Sequence, residues 1–384
     1  MKFRFKKKSG QAVVWLSAVA CLLPPVAEAQ PFRSWINVQA ECGAVGDGKA
    51  DDTAAIQKGL DMIRPEDSKR KILYFPAGTY RITGTLKAVR EKHRECQGVG
   101  LQGEGPDQSV IVYDGSGNEP MLMWGAWYST IRSLGFESAD SETVRLRLGL
   151  GLSGGKSGKP TAGIWFGPGF STANEVSDCA FRDLPIALQA GDGTTQGQAE
   201  VAVRRCGFER CGIGVSIQNW NSLDWYIWDS QFLECDQGVS NNPGCGAFNV
   251  YRSRFRGSKK ADVRMGHLGQ FSLVENLSEN SACFLAYEYG PAAGANLTMQ
   301  GNRIEHPRGP CWMGNSGPAL LLDNVFLMKE GDDQPAIAFG ANNVQRMMGN
   351  AVLIGNRTTG SRLYKAPARY EVREIGISDM GRLS

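Results

Sequence analysis

The feature that most constrains the fold is an irregular repeat of short apolar steps along most of the chain. Its clearest copies are Leu134-Gly135-Phe136, Cys179-Ala180-Phe181, Cys206-Gly207-Phe208, Ser230-Gln231-Phe232 and Ser253-Arg254-Phe255. Fainter copies follow at Asn276 to Ser278, Asn302 to Ile304 and Asn324 to Phe326, and successive copies in the latter half lie 22 to 27 residues apart. That spacing is typical of one turn of a solenoid, in which equivalent residues stack directly over one another.

The repeat predicts an all-β fold, a single-stranded right-handed parallel β-helix of about ten coils with a short N-terminal capping helix. With neighbouring strands about 4.8 Å apart, ten coils make a rod roughly 50 Å long. Because a solenoid grows by adding coils, we expect residues 30–384 to form one domain. Within it, residues 37–115 should form the N-terminal cap and first coils. Residues 358–384 lose the repeat and are expected to form a C-terminal cap or tail.

Stacking explains polar residues that look scattered in the sequence. The aligned cysteines are Cys179 with Cys206 and Cys211 with Cys235. We expect buried thiol ladders rather than disulfides, because in-register neighbours on parallel strands rarely meet disulfide geometry. Asn276 and Asn302 continue the Cys206 column and indicate an internal asparagine ladder.

The N-terminal segment has the pattern of a secretory signal peptide. A basic head from Lys2 to Lys8 precedes an apolar run from Ala12 to Leu23 and a small-residue exit at Ala27-Glu28-Ala29. The run is too short for a bilayer core that needs about 20 residues. We therefore expect residues 1–29 to be removed and the protein to be secreted, extracellular or periplasmic, with no membrane span. A lipoprotein anchored at Cys21 is the alternative.

The charge balance argues against a general nucleic-acid binder. The chain has 42 basic and 39 acidic residues, and residues 1–29 contain five of the basic residues and one of the acidic ones. The mature chain therefore has 37 basic and 38 acidic residues. A nucleic-acid partner would need a basic surface in the mature domain.

A glycine-rich motif near the start predicts the capping helix. It runs from Gly43 to Gln57 and includes Gly46-Asp47-Gly48 and Asp51-Asp52-Thr53. Asp52 or Thr53 is the expected N-cap, and Ile56, Leu60 and Ile63 recur at helical spacing. The motif is followed by an apolar strand from Ile72, a Pro76-Ala77-Gly78 turn and another strand from Tyr80 to Leu86.

These residues resemble the N-terminal motif of the pectate-lyase-like superfamily, which includes polygalacturonases, exo-β-1,3-glucanases, epimerases and phage tailspikes. The resemblance covers residues 37–115, including Gly100 to Gly105, and implies a β-helix that acts on polysaccharide. It specifies the fold strongly and the reaction weakly. The catalytic signatures of the polygalacturonase branch are present only as the distorted segments Gly266 to Gly269 and Arg303 to Glu305, so its catalytic residues are not carried over.

Candidate substrate-binding residues are concentrated between positions 220 and 289. If Ser253 and Phe255 point inward, then Arg252, Arg254 and Arg256 point outward together, since side chains alternate along a strand. Such a basic stripe is suited to uronate carboxylates, and aromatic side chains can stack on sugar faces. The candidates are Trp225, Tyr226, Trp228, Tyr251, Arg254, Arg256 and Glu288. Alternatively, the aromatic residues pack in the core, and the column of Arg205, Asp229, Arg252 and Glu275 is an ion-pair ladder.

Candidate catalytic residues follow from the carboxyl groups that glycoside hydrolysis requires. Asp229 and Glu275 should lie two coils apart, about 9.6 Å between backbones, and Glu234 lies on the same coil as Asp229. Arg252, Arg254 and His267 are the candidates for the base and the cation that β-elimination or epimerisation requires.

The leading hypothesis is a secreted enzyme that hydrolyses a polysaccharide or oligosaccharide, including a uronate-containing one. The alternatives are a lyase or epimerase acting on uronates and a non-catalytic carbohydrate-binding protein. We expect no cofactor, no metal site and no nucleic-acid partner.

Overall fold

Short parallel strands make up nearly all of the regular structure. The computed structural model describes residues 34–90, 95–148, 159–191, 197–219, 221–242, 246–266, 269–287, 296–314, 317–331, 333–340, 349–368, 370–376 and 378–379. These residues contain two helices, α1 (Thr53–Ile63) and α2 (Glu142–Leu148). The signal-peptide segment, Cys245 and residues 149–158 of the glycine-rich stretch from Leu148 to Gly169 lie outside the described residues.

The strands of the N-terminal coils are β1 Ile36–Asn37, β2 Asp47–Asp51, β3 Ile72–Phe75, β4 Gly78–Ile82, β5 Leu86–Ala88, β6 Gly100–Gly103, β7 Ser109–Tyr113, β8 Leu122–Trp124, β9 Thr130–Arg132, β10 Gly135–Ser138, β11 Ile164–Phe166, β12 Ser171–Ser177, β13 Ala180–Arg182, β14 Ile186–Ala190, β15 Gln198–Arg204, β16 Gly207–Glu209 and β17 Ile213–Ile217. Those of the later coils are β18 Trp225–Trp228, β19 Gln231–Leu233, β20 Gln237–Ser240, β21 Phe248–Tyr251, β22 Arg254–Arg256, β23 Ala261–Met265, β24 Gln270–Val274, β25 Leu277–Glu279, β26 Leu285–Tyr287, β27 Asn296–Gln300, β28 Arg303–Glu305, β29 Cys311–Met313, β30 Ala319–Leu322, β31 Val325–Leu327, β32 Ile337–Phe339, β33 Gly349–Ile354, β34 Arg357–Thr359, β35 Tyr364–Lys365, β36 Tyr370–Ile375 and β37 Ser378–Asp379.

Three parallel sheets wind these strands into a β-helix, as the repeat predicted. Sheet A contains β1 and every third strand from β3 to β36, and sheet B contains β2 and every third strand from β4 to β37. Sheet C contains every third strand from β5 to β35, 11 strands in all. Each coil contributes one strand to each sheet, so the described residues form eleven three-stranded coils, close to the expected ten.

A single residue in the left-handed conformation forms the corner between sheets A and B on most coils. The corner residues have φ between 46° and 55°, and they are Asp178, Arg205, Asp229, Arg252, Glu275 and Asp323. One such residue turns the chain between two extended segments and leaves its own side chain on the outside. The next residue then points into the solenoid, which explains why the repeat begins with a buried position.

The interior contains the predicted stacks. Strand pairing aligns Phe136, Phe181, Phe208, Phe232 and Phe255 in one column of sheet B. At the A–B corner, Asn276, Asn302, Asn324 and Asn356 hydrogen-bond from coil to coil. The eight described cysteines of the mature chain are all free and buried. The asparagine ladder and, for these cysteines, the buried thiols are therefore confirmed.

Helix α1 closes the N-terminal end of the solenoid and packs against β3 and β5. Its buried face consists of Ile56, Gly59, Leu60 and Ile63, as the helical spacing predicted. Asp52 is the N-cap residue, but its carboxylate makes no capping hydrogen bond. It instead accepts hydrogen bonds from the Val45 and Gly46 amides at 2.7 and 3.0 Å. The acid therefore holds the glycine-rich turn against the start of the helix.

Two local expectations differ from the structure. The strand expected from Tyr80 to Leu86 is two strands, because β4 ends at Ile82 and Leu86 begins β5 in the next sheet. The segment expected to fold back as a cap was residues 358–384, and its described residues continue the coils as far as Asp379, since β34 pairs with β31, β36 with β33 and β37 with β34. Backbone pairing persists there although Thr358 and its neighbours no longer show the apolar step.

Candidate functional site

An open groove runs along the outer face of sheet A, across the coils of β18, β21, β24 and β27. Its volume is ≈ 600 Å³. Asn249, Ser272 and Thr298 stack in register along its floor, in the same column as Tyr226. Three steps of about 4.8 Å give this column a length of about 14 Å. The other polar and aromatic lining residues include Asp224, Tyr251, Gln270 and Asn296.

Three aromatic side chains form a platform at one end of the groove, called the aromatic platform below. Tyr226 and Trp228 are stacked with ring centroids 5.4 Å apart and planes 15° apart. Trp228 and Tyr251 are stacked at 6.1 Å and 23°. The Arg204 guanidinium lies 4.4 Å from the centre of the Trp228 ring, a distance at which a cation stabilises an aromatic face. Burial raises the pKa of Tyr226, and the nearby Asp224 carboxylate raises it further.

Trp225, the fourth aromatic candidate, lies inside the solenoid. Its side chain is 0% exposed, packs edge-on against Phe166 and donates from its indole nitrogen to the Gln198 carbonyl at 2.7 Å. Side chains alternate along β18, so Trp225 and Ile227 face inward while Tyr226 and Trp228 face outward. In this position Trp225 cannot reach a sugar, and it acts as a core residue.

The charged column predicted from the repeat lies along the A–B corner and consists of ion pairs between successive coils. Arg252 donates from Nε to Asp229 at 2.9 Å, and Arg205 donates from Nε to Asp178 at 2.7 Å. Glu275 follows on the next coil and is exposed. The alternative interpretation of this column as an ion-pair ladder therefore describes both pairs. The charges of Asp229 and Arg252 are paired with each other, and both residues lie next to the aromatic platform rather than within the groove.

The remaining described candidates lie away from the groove. Glu234 is at the corner between sheets B and C, five residues after Asp229 across the extended strand β19, which is about 16 Å of chain. Arg254 and Arg256 are exposed as expected, but they project from β22 in sheet B. The three arginines thus point outward without forming one stripe beside the groove. His267 and Glu288 lie outside the described residues.

A carboxylate that was not selected from the sequence lines the groove, and a second lies one coil beyond the lining residues. Asp224 lines it, and Glu200 occupies the equivalent position on the preceding coil, because Val201 pairs with Trp225. Both residues adopt the left-handed conformation, with φ of 56° and 55°. Thr172 donates from Oγ1 to Glu200 at 2.6 Å. Register places the two backbones about 4.8 Å apart.

The polar floor of the groove was also missed, although the sequence contained a signal for it. Tyr226, Asn249, Ser272 and Thr298 each lie six residues before the last residue of an aligned repeat copy. Reading the repeat six residues upstream would therefore have identified the column. These neutral side chains are individually common on protein surfaces, so a single one gives no signal of a binding site, whereas charged and aromatic residues do.

Among the residues that the structure describes, no group of three or more His, Cys, Asp or Glu side chains is placed to hold a metal ion. Neither described helix has the length and apolar character that crossing a bilayer demands.

Comparison with known proteins gives one family match and several structural ones. Residues 35–141 match the family described as rhamnogalacturonase A/epimerase, pectate lyase-like. No curated protein sequence matches the chain.

Solved structures similar to this one include an enzyme module, an adhesin and a glucanase. The A-module of the Azotobacter vinelandii mannuronan C-5 epimerase is 13% identical with a TM-score of 0.53, over 91% of this chain and 98% of the module. The Streptococcus pneumoniae surface adhesin PfbA is 14% identical with a TM-score of 0.59, over 90% and 91% of the two chains. The catalytic unit of the GH87 α-1,3-glucanase from Streptomyces thermodiastaticus is 11% identical with a TM-score of 0.55, over 92% and 70%. At these identities the likeness establishes the fold alone, a parallel β-helix, and the family resemblance is confined to residues 35–141.

Proposed function

We propose that this protein binds a polysaccharide in the sheet A groove and cleaves it by carboxylate-assisted hydrolysis. The observation that carries the proposal is the aromatic platform beside a groove whose floor is lined with neutral hydrogen-bonding side chains. A carbohydrate site needs an apolar surface for the sugar ring and a few placed polar groups for its hydroxyls. Both are present within four consecutive coils.

The aromatic platform supplies the apolar surface. The rings of Tyr226, Trp228 and Tyr251 are nearly parallel, and each is half-buried. Such rings offer a large contact area at little entropic cost, and tyrosine adds a hydroxyl at its wet end. Asn249, Ser272 and Thr298 then repeat along the groove at intervals of one coil, so a chain of sugars lying along the rod meets a polar side chain at each step.

The Glu200–Asp224 pair is the best-placed source of the two carboxyl groups. Retaining hydrolysis uses carboxyls about 5 to 5.5 Å apart, and inverting hydrolysis uses a spacing of about 6.5 to 9.5 Å. The backbones of Glu200 and Asp224 are one coil apart, about 4.8 Å, a spacing from which the two carboxyl groups can reach the shorter range. Asp229 and Glu275, two coils apart, correspond to the upper end of the longer range. Because Asp229 is bound by Arg252, we assign the chemistry to Glu200 and Asp224.

Two alternative functions are distinguished from hydrolysis by the experiments below. A lyase or epimerase needs a cation to hold the charge that develops beside a uronate carboxylate, and Arg252, a candidate for that role, is paired with Asp229. A non-catalytic carbohydrate-binding protein would use the same aromatic platform, and that observation favours it as the second candidate.

Binding is tested with Tyr251→Ala and Tyr226→Phe against a panel of soluble neutral and acidic glycans, by affinity electrophoresis. We expect Tyr251→Ala to reduce affinity at least tenfold, on the order of one lost aromatic contact. Tyr226→Phe keeps the aromatic ring and removes the hydroxyl, so any change in its affinity measures the contribution of the hydroxyl. Trp312→Ala is the matched control, since Trp312 is an exposed aromatic residue on sheet C. Equal losses in the sheet A and sheet C variants would refute the groove as the binding site.

Catalysis is tested by product analysis on the glycans that bind. New reducing ends without ultraviolet-absorbing unsaturated products indicate hydrolysis, and unsaturated products indicate a lyase. Glu200→Gln and Asp224→Asn should each abolish hydrolysis while binding is retained. Asp323→Asn is the control, because Asp323 is an exposed aspartate with the same left-handed backbone outside the groove. Binding without any product would leave the non-catalytic alternative.

We further propose that residues 1–29 direct export of the protein. The supporting observation is the basic head, apolar run and Ala27-Glu28-Ala29 exit. N-terminal sequencing of protein recovered from the culture medium or periplasm should begin at Gln30. An acylated N-terminus at Cys21 would support the lipoprotein alternative instead.

A further inference from the structure

We infer that the glycan in the sheet A groove is uncharged, so that the site selects against uronates. This inference rests on the proposed function, because it concerns the substrate class of the same groove. It contradicts the interpretation of the 252–256 arginines as a carboxylate-binding stripe.

The groove presents neutral donors and acceptors. Its floor and rim carry the amides of Asn249, Gln270 and Asn296 and the hydroxyls of Ser272 and Thr298. Amides and hydroxyls both donate and accept hydrogen bonds, as sugar hydroxyls also do. Among the described residues that line the groove, the one charged side chain is Asp224, and it is negative.

The cations that sequence reasoning assigned to this site are engaged elsewhere. Arg252 binds Asp229 through two nitrogens, at 2.9 and 3.3 Å. Arg254 and Arg256 project from sheet B. Arg204 lies over the face of Trp228, one coil before Trp228 and two coils before Tyr251, on the side away from the Asn249–Ser272–Thr298 floor.

Electrostatics then disfavours an acidic ligand. A uronate carboxylate bound in the groove would lie near Asp224 and its neighbour Glu200 without a compensating guanidinium among the described lining residues. Like charges brought together at a binding surface are strongly unfavourable. A bidentate arginine is the usual partner of a bound carboxylate. An uncharged sugar makes the same stacking and hydroxyl contacts without this cost.

The test compares glycans that share a backbone and differ only in charge. Suitable pairs are methyl-esterified homogalacturonan with its de-esterified form, and soluble 1,3- and 1,4-linked glucans with their C6-oxidised counterparts. Affinities are measured with the full-length mature protein at two salt concentrations. We expect the neutral member of the best-binding pair to bind at least about tenfold more tightly, with an affinity insensitive to salt.

Asp224→Asn provides the internal check, because asparagine has the same shape and tolerates the left-handed backbone. It should raise the affinity for the acidic member and reduce the preference to a few-fold, while Asp323→Asn leaves it unchanged. Tighter, salt-sensitive binding of the acidic member overturns the inference, and if that binding is still lost in Tyr251→Ala the proposed function stands. If Tyr251→Ala changes the binding of no glycan, both the inference and the groove assignment fail.

Discussion

The interior of the corner between sheets A and B is built differently in the two halves of the solenoid. In the N-terminal half it holds one leucine, two thiols and two hydroxyls, and the neighbouring sheet B column holds five stacked phenylalanine rings. The inward-facing residues just after the corner are Leu134, Cys179, Cys206, Ser230 and Ser253. In the C-terminal half the corner holds four asparagines, and the sheet B column continues as Ser278, Ile304, Phe326 and Thr358, in which no two aromatic rings are adjacent.

The difference shows two ways of stabilising the same backbone. The phenylalanine rings stack with centroids 4.6 to 5.3 Å apart, while the thiols make only long contacts to carbonyls, such as 3.5 Å from Cys206 to Val176. The asparagines instead accept from buried backbone amides at 3.0 to 3.1 Å. Buried backbone groups must find partners. In the N-terminal half the Ser230 and Ser253 hydroxyls accept from corner amides at 3.2 Å, and in the C-terminal half the asparagine side chains take this role and also bond to one another.

The largest effect is expected from Asn302→Ala, in the middle of the ladder. Asn302 accepts from the Asn276 backbone and side-chain nitrogens at 3.0 and 2.9 Å and donates to the Leu273 carbonyl at 2.7 Å. Removing it leaves several buried polar groups unpaired, each costing about 1 to 3 kcal/mol. We expect the free energy of unfolding to fall by at least about 3 kcal/mol in denaturant titration.

Cys206→Ala is the matched change in the other half and should cost about 1 kcal/mol, because a small buried side chain with weak contacts is lost. Equal losses for the two variants would contradict the contrast between the halves.

The next effect concerns the boundary between the halves, where Ser278 replaces the next phenylalanine and donates to Asp262. Asp262 is fully buried in β23, and burial raises its pKa from 3.8 to about 7, against the opposing effect of the Ser278 hydrogen bond. The folded state thus holds this proton to higher pH than the unfolded chain does. Stability from this residue is complete below about pH 4 and is lost as pH rises through 7.

Asp262→Asn should therefore be more stable than the parent protein at pH 8, by up to about 4 kcal/mol for a shift of about three pH units, and nearly equal to it at pH 4. Unfolding midpoints across that range measure the difference. Asp323→Asn, at an exposed corner, should leave the pH profile unchanged. Parallel profiles for Asp262→Asn and the parent would show that the boundary acid is not the titrating group.

A smaller effect is expected from Phe208→Leu, which interrupts the ring stack between Phe181 and Phe232. The loss of two stacked contacts and some volume should cost about 1 to 2 kcal/mol. Ile304→Leu, at the equivalent sheet B position in the other half, conserves volume and should cost less than about 1.5 kcal/mol. Should the two changes prove equal, ring stacking contributes little beyond area burial.

The smallest effect on stability is expected from Arg252→Gln, on the outside of the same corner. Arg252 and Asp229 are 55% and 44% exposed, and pairs of this kind contribute little in water. The unfolding midpoint should not change measurably, and hydrolysis should persist if Glu200 and Asp224 perform it. A stable Arg252→Gln variant without activity would instead indicate that Arg252 and Asp229 are part of the catalytic site.

Sequence reasoning identified the fold more reliably than the site. The coil length, the helix face of Ile56, Leu60 and Ile63, and the Asn276–Asn302 contact all follow from spacing, because a solenoid converts a repeat distance directly into a neighbour. The site depends on the phase of each strand, which places Trp225 inside the solenoid and leaves Trp228, three residues later, half-buried on the outer face. The site also depends on which sheet a residue belongs to. Arg252 is the corner residue, whereas Arg254, two residues later, projects from sheet B.

The register of the groove floor has a consequence for how such a site can change in evolution. Because each coil contributes one residue to the Asn249–Ser272–Thr298 column, duplicating or deleting a coil would lengthen or shorten the floor by one step of about 4.8 Å. The flanking coils would keep their own contacts, since each coil touches mainly its neighbours. The length of ligand that the groove accommodates would then depend on how many copies of the coil-encoding segment the gene contains. The side chain that contacts the ligand at each step would depend on a single codon.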